Sequence, residues 1–208
     1  MPFWLQMAYP MIHWALVLGC VGVISGLVLV HGTRTGGICR MGVPCIALLL
    51  LAGFNVTAWQ NLCPDPPPLR EPRHSSDGVI LQSSGVTCAP AAAANISTSL
   101  GRPMTEAELV DRFGTKPDGT TPAQVAYGMG RLGFLWVKRT VPDRRIEALT
   151  PPAMLFVSAD AHAVAFVGMT NGGLAVILDP LGGRKLWRPE TLAEIWAGHA
   201  IEFRRAPP

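Results

Sequence analysis

Charge is scarce in this sequence: Asp, Glu, Lys and Arg make up 15% of its 208 residues, and the formal net charge is only +3. It has no basic stripe interleaved with aromatic side chains, which argues against nucleic-acid binding. Its five cysteines form no CxxC pair, and no histidine stands at the spacing of a zinc site. The sequence therefore predicts neither a structural metal nor a cofactor.

Two long stretches lack charged side chains altogether. Residues 11–30 contain only His13 and Cys20 as ionisable groups, and residues 41–59 contain only Cys45. About 20 apolar residues are enough to cross the hydrocarbon core of a bilayer as a helix. The sequence thus predicts a two-helix transmembrane hairpin within residues 1–62 and a lipid bilayer as its partner.

The first ten residues contain no Lys or Arg, which argues against a cleaved signal peptide. The tripeptide at residues 56–58 resembles a cleavage site, so a cleaved form is a second possibility. Two arginines in the loop between the spans favour a cytoplasmic loop and an extracytoplasmic domain after the second span. Arg70 and Arg73, which follow that span closely, weigh against this orientation.

The sequence changes character after the second span. Residues 63–76 are rich in proline and charge, as in an extended, semi-rigid spacer, so we place a domain at residues 77–208. Helical patterns fill the first half of this domain and short strands the second half, which predicts an α+β fold. The predicted helices begin at residues 88, 106, 122 and 189. The predicted strands are 134–138, 153–158, 163–169, 174–178, 184–187 and 200–203.

Cys88 stands just before Pro90 and a run of alanines, a pattern that predicts a helix beginning at the cysteine. The free N–H groups and the positive dipole end of a helix start stabilise a thiolate, which is the nucleophilic form of cysteine. For Cys88 alone, a buried and inert thiol is the alternative.

A base and a carboxylate occur later in the chain, at the ends of two consecutive predicted strands. His162 precedes one strand, Asp179 ends the next, and residues 171–173 read as the hairpin turn between them. Counting outward from the turn puts His162 opposite Leu181, and a bulge or a longer turn would bring Asp179 into direct opposition. The pair would supply the base and orienting group that a cysteine nucleophile requires. A simple Asp-Pro turn is the alternative for Asp179.

Gln82 lies six residues before Cys88, where its amide could donate a hydrogen bond to an oxyanion together with the Cys88 N–H. Taken alone, Gln82 is also compatible with an ordinary polar loop residue.

The order of these segments resembles that of the bacteriocin-processing peptidases, papain-like cysteine peptidases that cut after double-glycine leaders. The segments that carry the resemblance are Gln82 with Cys88–Pro90, Gly119–Thr121, Leu132–Phe134, Pro152–Phe156, His162–Gly168 and Leu178–Pro180 with Gly182. The resemblance implies a papain-like fold, with Cys88 as nucleophile, His162 as general base, Asp179 as its orienting partner and Gln82 as oxyanion donor. It also implies a peptide or protein substrate and admits a separate transporter as a partner. The sequence departs from the family at Ala89, where glycine is usual, and at Thr87, where aspartate is common.

The sequence therefore predicts a membrane-anchored cysteine hydrolase, specifically a peptidase that works through a covalent thioacyl-enzyme. Thiol chemistry by itself also admits an esterase or acyltransferase on the same fold. A non-catalytic module that binds leader peptides is the third possibility.

Overall fold

The computed structural model describes residues 67–158 and 161–206, together with Gly19, Gly22 and Gly26, which are helical. Residue contacts divide the chain into two compact units, residues 1–65 and 66–208. Apart from those three glycines, the predicted spans at residues 11–30 and 41–59 lie outside the described residues. Within the described part, no helix is both long and apolar enough to cross a membrane.

Three helices form the first half of the described domain: α1 (Cys88–Ser99), α2 (Glu106–Phe113) and α3 (Pro122–Arg131). Their starts confirm the predictions. The side chains of Thr105 and Thr121 each accept a hydrogen bond from the backbone N–H three residues on, and the side-chain oxygen at that position accepts one from the N–H of the cap residue. Gly114 ends α2 in the left-handed conformation, with φ of 59°, which glycine adopts without steric cost.

The second half is an antiparallel six-stranded sheet. Its strands are β3 (Phe134–Thr140), β4 (Ala153–Val157), β5 (His162–Met169), β6 (Ala175–Asp179), β7 (Gly183–Trp187) and β8 (Trp196–Arg205), and they lie side by side in the order β3-β8-β4-β5-β6-β7. A 3₁₀ turn (Ile146–Ala148) follows β3, and α4 (Pro189–Ile195) precedes β8. Helices followed by an antiparallel sheet confirm the predicted α+β class.

A short ribbon precedes the helices and differs from the prediction. Arg73 and His74 form β1 and pair with β2 (Ile80–Leu81), although both residues of β1 fall in the stretch that the sequence assigns to a spacer. Two-residue strands carry no periodic pattern, so their pairing depends on tertiary contacts that local sequence does not encode. The long strand β8 also extends beyond the predicted 200–203, because β3 and β4 pair along both of its edges.

Apolar side chains fill both faces of the sheet. Helix α1 packs against β5, and its alanines from Ala91 to Ala94 have no exposed surface. The opposite face is covered by α4 and the 3₁₀ turn, around the fully buried Trp196 and Leu192. Between the helices, Gly128 of α3 lies directly against the ring of Phe113 on α2, as expected from the small residues of that helix.

Gly198→Ala should destabilise the domain by on the order of 2–4 kcal/mol. Gly198 has φ of 83°, and a Cβ there would overlap the carbonyl oxygen of Val141, whose N–H donates to Gly198 O at 2.8 Å. Denaturant unfolding followed by circular dichroism would measure the change. Gly172→Ala is the control, because a Cβ at Gly172 would meet nothing closer than Thr170 Oγ1 at 3.8 Å. Equal destabilisation by the two substitutions would contradict the prediction.

Candidate active site

The segment that leads to Cys88 is tied to three other parts of the domain. The backbone of Ile80 exchanges two hydrogen bonds of 2.9 Å with the buried side chain of Asn95 on α1. The N–H of Gln82 donates to Pro180 O at 2.9 Å, and the N–H of Ser83 donates to the buried carboxylate of Glu106 at 2.9 Å. These bonds fix the nucleophile segment against α1, α2 and the loop that follows Asp179.

Cys88 is the first residue of α1, as predicted, and Thr87 is its N-cap. The Thr87 hydroxyl accepts from Ser84 N at 3.1 Å and donates to Ser84 O at 3.0 Å, so it closes the turn before the helix and does not cap it. No acidic side chain lies in the first turn of α1. The free N–H groups at this helix start are therefore available to a negative charge on Sγ.

His162 and Asp179 are in direct contact, with Nε2 and Oδ1 2.8 Å apart. Both features that the sequence suggested for the hairpin occur: Met169 pairs with Ala175 around a longer turn, and the register shifts between Phe166 and Gly168. The two changes cancel, because Ala165 pairs with Leu178 just as the simple count requires.

Extending that register outward places Asp179 across from Val164 and His162 across from Leu181. The two site residues are thus diagonal neighbours on one face of the sheet, not an opposed pair. Long side chains reach each other at this diagonal separation of about 7–8 Å between backbones. Asp179 therefore lies within two residues of direct opposition to His162, and the expected contact between the two side chains is present.

Cys88 and His162 line the same cleft, and hydrogen bonding of the thiol with the His162 side chain is among the causes that lower the pKa of Cys88. The structure therefore brings Cys88, His162 and Asp179 together in a row that runs from α1 through β5 to β6.

The electrostatics of this row favour a charged pair. Burial alone would raise the pKa of Cys88, but the hydrogen bond with His162, the N–H groups of Ala163 and Ala89, and the charge of the imidazolium lower the pKa below its usual value. The hydrogen bond to Asp179, followed by that to Cys88, raises the pKa of His162 to about 9 against the opposing effect of burial. Both shifts favour the charged pair, in which a thiolate lies beside an imidazolium.

Asp179 is only 4% exposed, and burial acts to raise the pKa of its carboxyl. Hydrogen bonds from His162, from Lys185 and from the N–H of Leu181 outweigh that effect and hold the pKa well below its usual range. Asp179 is therefore ionised at neutral pH.

Lys185 is a site residue that sequence reasoning missed. Its Nζ lies 2.5 Å from Asp179 Oδ2. A signal was present: β7 returns from a tight turn in which Asp179 pairs with Gly183, so the residue two positions further on is a diagonal neighbour. Without knowledge that β6 pairs with β7, a lone lysine in a short amphipathic strand gives no reason to expect this contact.

Gln82 belongs to the same anchored segment, but it is not among the residues that line the cleft at Cys88. Its side chain is buried, and Nε2 donates to Ser84 O at 2.8 Å. The amide nitrogen carries a second N–H beyond the one used by Ser84. The structure thus leaves the predicted oxyanion role of Gln82 untested.

The cleft beside Cys88 and His162 has a volume of about 180 Å³. Its walls are made mainly of small residues, with the ring of Phe156 and the side chains of Val86, Asp118 and Thr120 as the larger contributors. The small members are Gly85, Ala89, Gly119, Ala161 and Ala163. A cleft of this size accepts an extended backbone with small side chains more readily than a bulky group.

The chain that carries this site is similar in sequence to a known peptidase family and to an archaeal protein. The model of the peptidase C39 family matches residues 76–207. An uncharacterized protein of Methanothermobacter marburgensis is 28% identical over 132 residues, which is 61% of this chain and 88% of that protein.

Two solved structures share the fold. One is a double glycine motif protease from an AMS/PCAT transporter in complex with the leader peptide, with TM-score 0.55, 17% identity and coverage of 66% of this chain and 94% of that one. The other is the peptidase domain of Streptococcus ComA, a bifunctional ABC transporter of a quorum-sensing pathway, with TM-score 0.53, 22% identity and coverage of 60% and 96%. At these sequence identities, the two structural similarities show the fold alone.

Proposed function

Because this chain belongs to the peptidase C39 family and is a cysteine peptidase, we propose that it hydrolyses peptide bonds with Cys88 as nucleophile, His162 as acid and base, and Asp179 as the carboxylate that orients His162. The observation that carries this proposal is the hydrogen-bonded row Cys88–His162–Asp179 at the edge of one cleft. The row supplies a nucleophile, a proton carrier and an orienting group in the order that covalent catalysis requires.

In the first half of the reaction, the Cys88 thiolate attacks the carbonyl carbon of the scissile bond, and a C–S bond forms. The carbonyl electrons move onto oxygen and give a tetrahedral oxyanion. The His162 imidazolium then transfers its proton to the leaving amine as the C–N bond breaks, which leaves a thioacyl-enzyme and neutral His162.

In the second half, His162 takes a proton from water as the water oxygen attacks the thioacyl carbon. Collapse of this second oxyanion breaks the C–S bond and releases the peptide product that carries the new carboxyl group. The thiolate of Cys88 and the imidazolium of His162 are thereby restored. Throughout, Asp179 keeps Nε2 of His162 bonded, which leaves Nδ1 to carry the proton.

We assign the oxyanion to two donors. The first is the backbone N–H of Cys88, which has no intrahelical partner because it belongs to the first residue of α1. The second is the remaining N–H of the Gln82 amide, which sits in a segment held rigidly by the bond from Gln82 N to Pro180 O. Such preorganised donors cost about 10²–10³ in kcat when removed.

The proposed substrate is a peptide or protein with small residues at the scissile bond. The small side chains that line the cleft support this, and so does the fold neighbour that was solved with a leader peptide. A leader-type substrate and a separate transporter as partner are part of the same proposal, as is anchoring to a membrane by the uncharged stretches at residues 11–30 and 41–59, with the peptidase domain on the extracytoplasmic side.

The proposal predicts that Cys88 reacts with iodoacetamide at pH 6 at least about tenfold faster than a free cysteine, whose pKa is about 8.5. The lowered pKa of Cys88 means that the thiolate persists as pH falls, until protonation of the sulfur ends its reactivity. Peptide hydrolysis should likewise fall at acid pH, and it should fall again near pH 9 as His162 loses its proton. Mass spectrometry of Cys88-containing peptides would follow the alkylation, and digestion of a peptide library would report cleavage.

Alkylation at pH 6 should abolish cleavage of the library. Slow alkylation of Cys88 together with retained peptide binding would replace the peptidase proposal with the leader-binding module. Rapid alkylation with hydrolysis of thioesters or esters but no peptides would replace it with the esterase.

A further inference from the structure

The Asp179 carboxylate is held from both sides. Strand β6 lies between β5 and β7, and Asp179 has one diagonal neighbour on each of them: His162 on β5 and Lys185 on β7. The register places all three side chains on the same face of the sheet. A positive group therefore contacts Asp179 on the side away from His162.

The two oxygens of the carboxylate have separate partners. Oδ1 accepts from His162 Nε2 at 2.8 Å and from Leu181 N at 2.9 Å, whereas Oδ2 accepts from Lys185 Nζ at 2.5 Å. Among the described residues, Lys185 is the sole partner of Oδ2. The bond from Lys185 to Oδ2, together with the two bonds to Oδ1, fixes the rotation of the carboxylate about its Cβ–Cγ bond and so the direction in which Oδ1 faces His162.

Lys185 is itself held in place, although its side chain is 39% exposed. Its stem passes over Gly182, where an added Cβ would come within 3.0 Å of Cε. Its ammonium group lies 5.7 Å from the centre of the Trp187 ring, within the range of a cation–π contact. Because these contacts with Gly182 and Trp187 already restrict the lysine, it loses less conformational entropy on pairing with Asp179 than a free surface lysine would.

We propose that Lys185 is a positioning residue of the active site, whose ammonium group orients Asp179 and, by its charge, keeps Cys88 ionised at lower pH. The row then consists of Cys88⁻ on α1, His162⁺ on β5, Asp179⁻ on β6 and Lys185⁺ on β7. Its four charges sum to zero. This inference rests on the proposed mechanism and adds a fourth member to its row.

Removal of the lysine charge should act on both titrations of the site in the same direction. Without Lys185⁺ the local potential is more negative, so the thiolate is less favoured and the pKa of Cys88 rises. The imidazolium is more favoured, so the pKa of His162 rises as well. The other groups that bear on this balance are Asp118, which lines the cleft, and the N–H groups of Ala163 and Ala89 at the sulfur.

The test is the pH dependence of Cys88 alkylation in the full chain, which requires no substrate. Iodoacetamide is uncharged, and peptide mass spectrometry separates Cys88 from Cys20, Cys39, Cys45 and Cys63. In Lys185→Met, the pH of half-maximal alkylation should rise by about half a unit to one unit, since the lost charge is two groups further from the sulfur than its direct neighbour His162 and is partly screened. Lys185→Arg keeps the charge and should stay within about 0.2 units of the wild type.

Arg184→Met is the matched control. Arg184 is the exposed residue directly before Lys185, pairs with Leu178 and projects from the opposite face of the sheet. Its removal takes away the same charge from the same strand without touching Asp179. A shift in Lys185→Met no larger than that in Arg184→Met would overturn the proposal, as would an equal shift in Lys185→Arg.

If Lys185→Met unfolds at a lower temperature than the wild type, Lys185→Gln replaces it. The pH of half-maximal alkylation should rise by the same amount in Lys185→Gln. Failure of the mechanism would look different from failure of this inference. If wild-type Cys88 titrates as an ordinary thiol, the proposed row of charges is wrong. If wild-type Cys88 titrates low and Lys185→Met is unchanged, only the role of Lys185 is wrong.

Discussion

Cys88→Ala should reduce peptide hydrolysis by at least about 10³-fold, to the level that binding and oxyanion contacts alone provide. The substitution removes the atom that forms the thioacyl bond and leaves His162 bonded to Asp179. Cys88→Ser should lose nearly as much, because a hydroxyl beside an imidazolium is not ionised as the thiol is. The measurement is kcat/KM on a peptide taken from the library digestion, together with a search for the thioacyl-enzyme in acid-quenched samples.

The matched control is Ser99→Ala, at the far end of the same helix, where the hydroxyl donates to Ile96 O. It should keep full activity, and Cys88→Ala should unfold within a few degrees of the wild type. Retention of more than about a tenth of wild-type hydrolysis by the alanine variant would rule out covalent catalysis by Cys88.

His162→Ala should lower kcat/KM by about 10²–10⁴-fold, the usual contribution of a general acid and base. It should also change the thiol itself. Burial raises the pKa of Cys88, and the hydrogen bond and positive charge of His162 are two of the causes that lower it, so the loss of both should raise that pKa, with only the N–H groups of Ala163 and Ala89 left to oppose burial. Alkylation of Cys88 at pH 6 should therefore become slow, and it should recover only in alkaline solution.

His199→Ala is the corresponding control. His199 is exposed on β8, and the group it contributes to the fold is its backbone carbonyl, which accepts from Trp196 Nε1 and remains in the alanine variant. Its activity and alkylation profile should match those of the wild type. If His162→Ala kept the low-pH reactivity of Cys88, the thiolate would owe its stability to the helix start and not to the imidazolium.

Cys88 and His162 were accessible to sequence reasoning because each stands at a boundary that local residues define. The proline and alanines after Cys88 set the start of α1, and the strand pattern after residue 162 sets the start of β5. The capping boxes at Thr105 and Thr121 located α2 and α3 equally well. In each case the free energy that decides the boundary comes from groups within four residues of one another.

The contact between His162 and Asp179 was predicted for a reason that proved incomplete. The count along the hairpin was right, but the contact is diagonal, and the longer turn and the bulge cancel each other. Such compensation depends on how β5 and β6 pack in the whole sheet, so a hairpin considered alone does not reveal it.

The sequence by itself determined the α+β order of elements, the helix starts, and the order of the cysteine, histidine and aspartate along the chain. The tertiary structure decided what long-range pairing alone can decide: the β1–β2 ribbon, the anchoring of Gln82 to Pro180, and the contact of Lys185 with Asp179. The physical reason is that turns and caps are stabilised by neighbours in sequence, whereas the carboxylate between His162 and Lys185 is oriented by two strands that meet it only in the folded sheet.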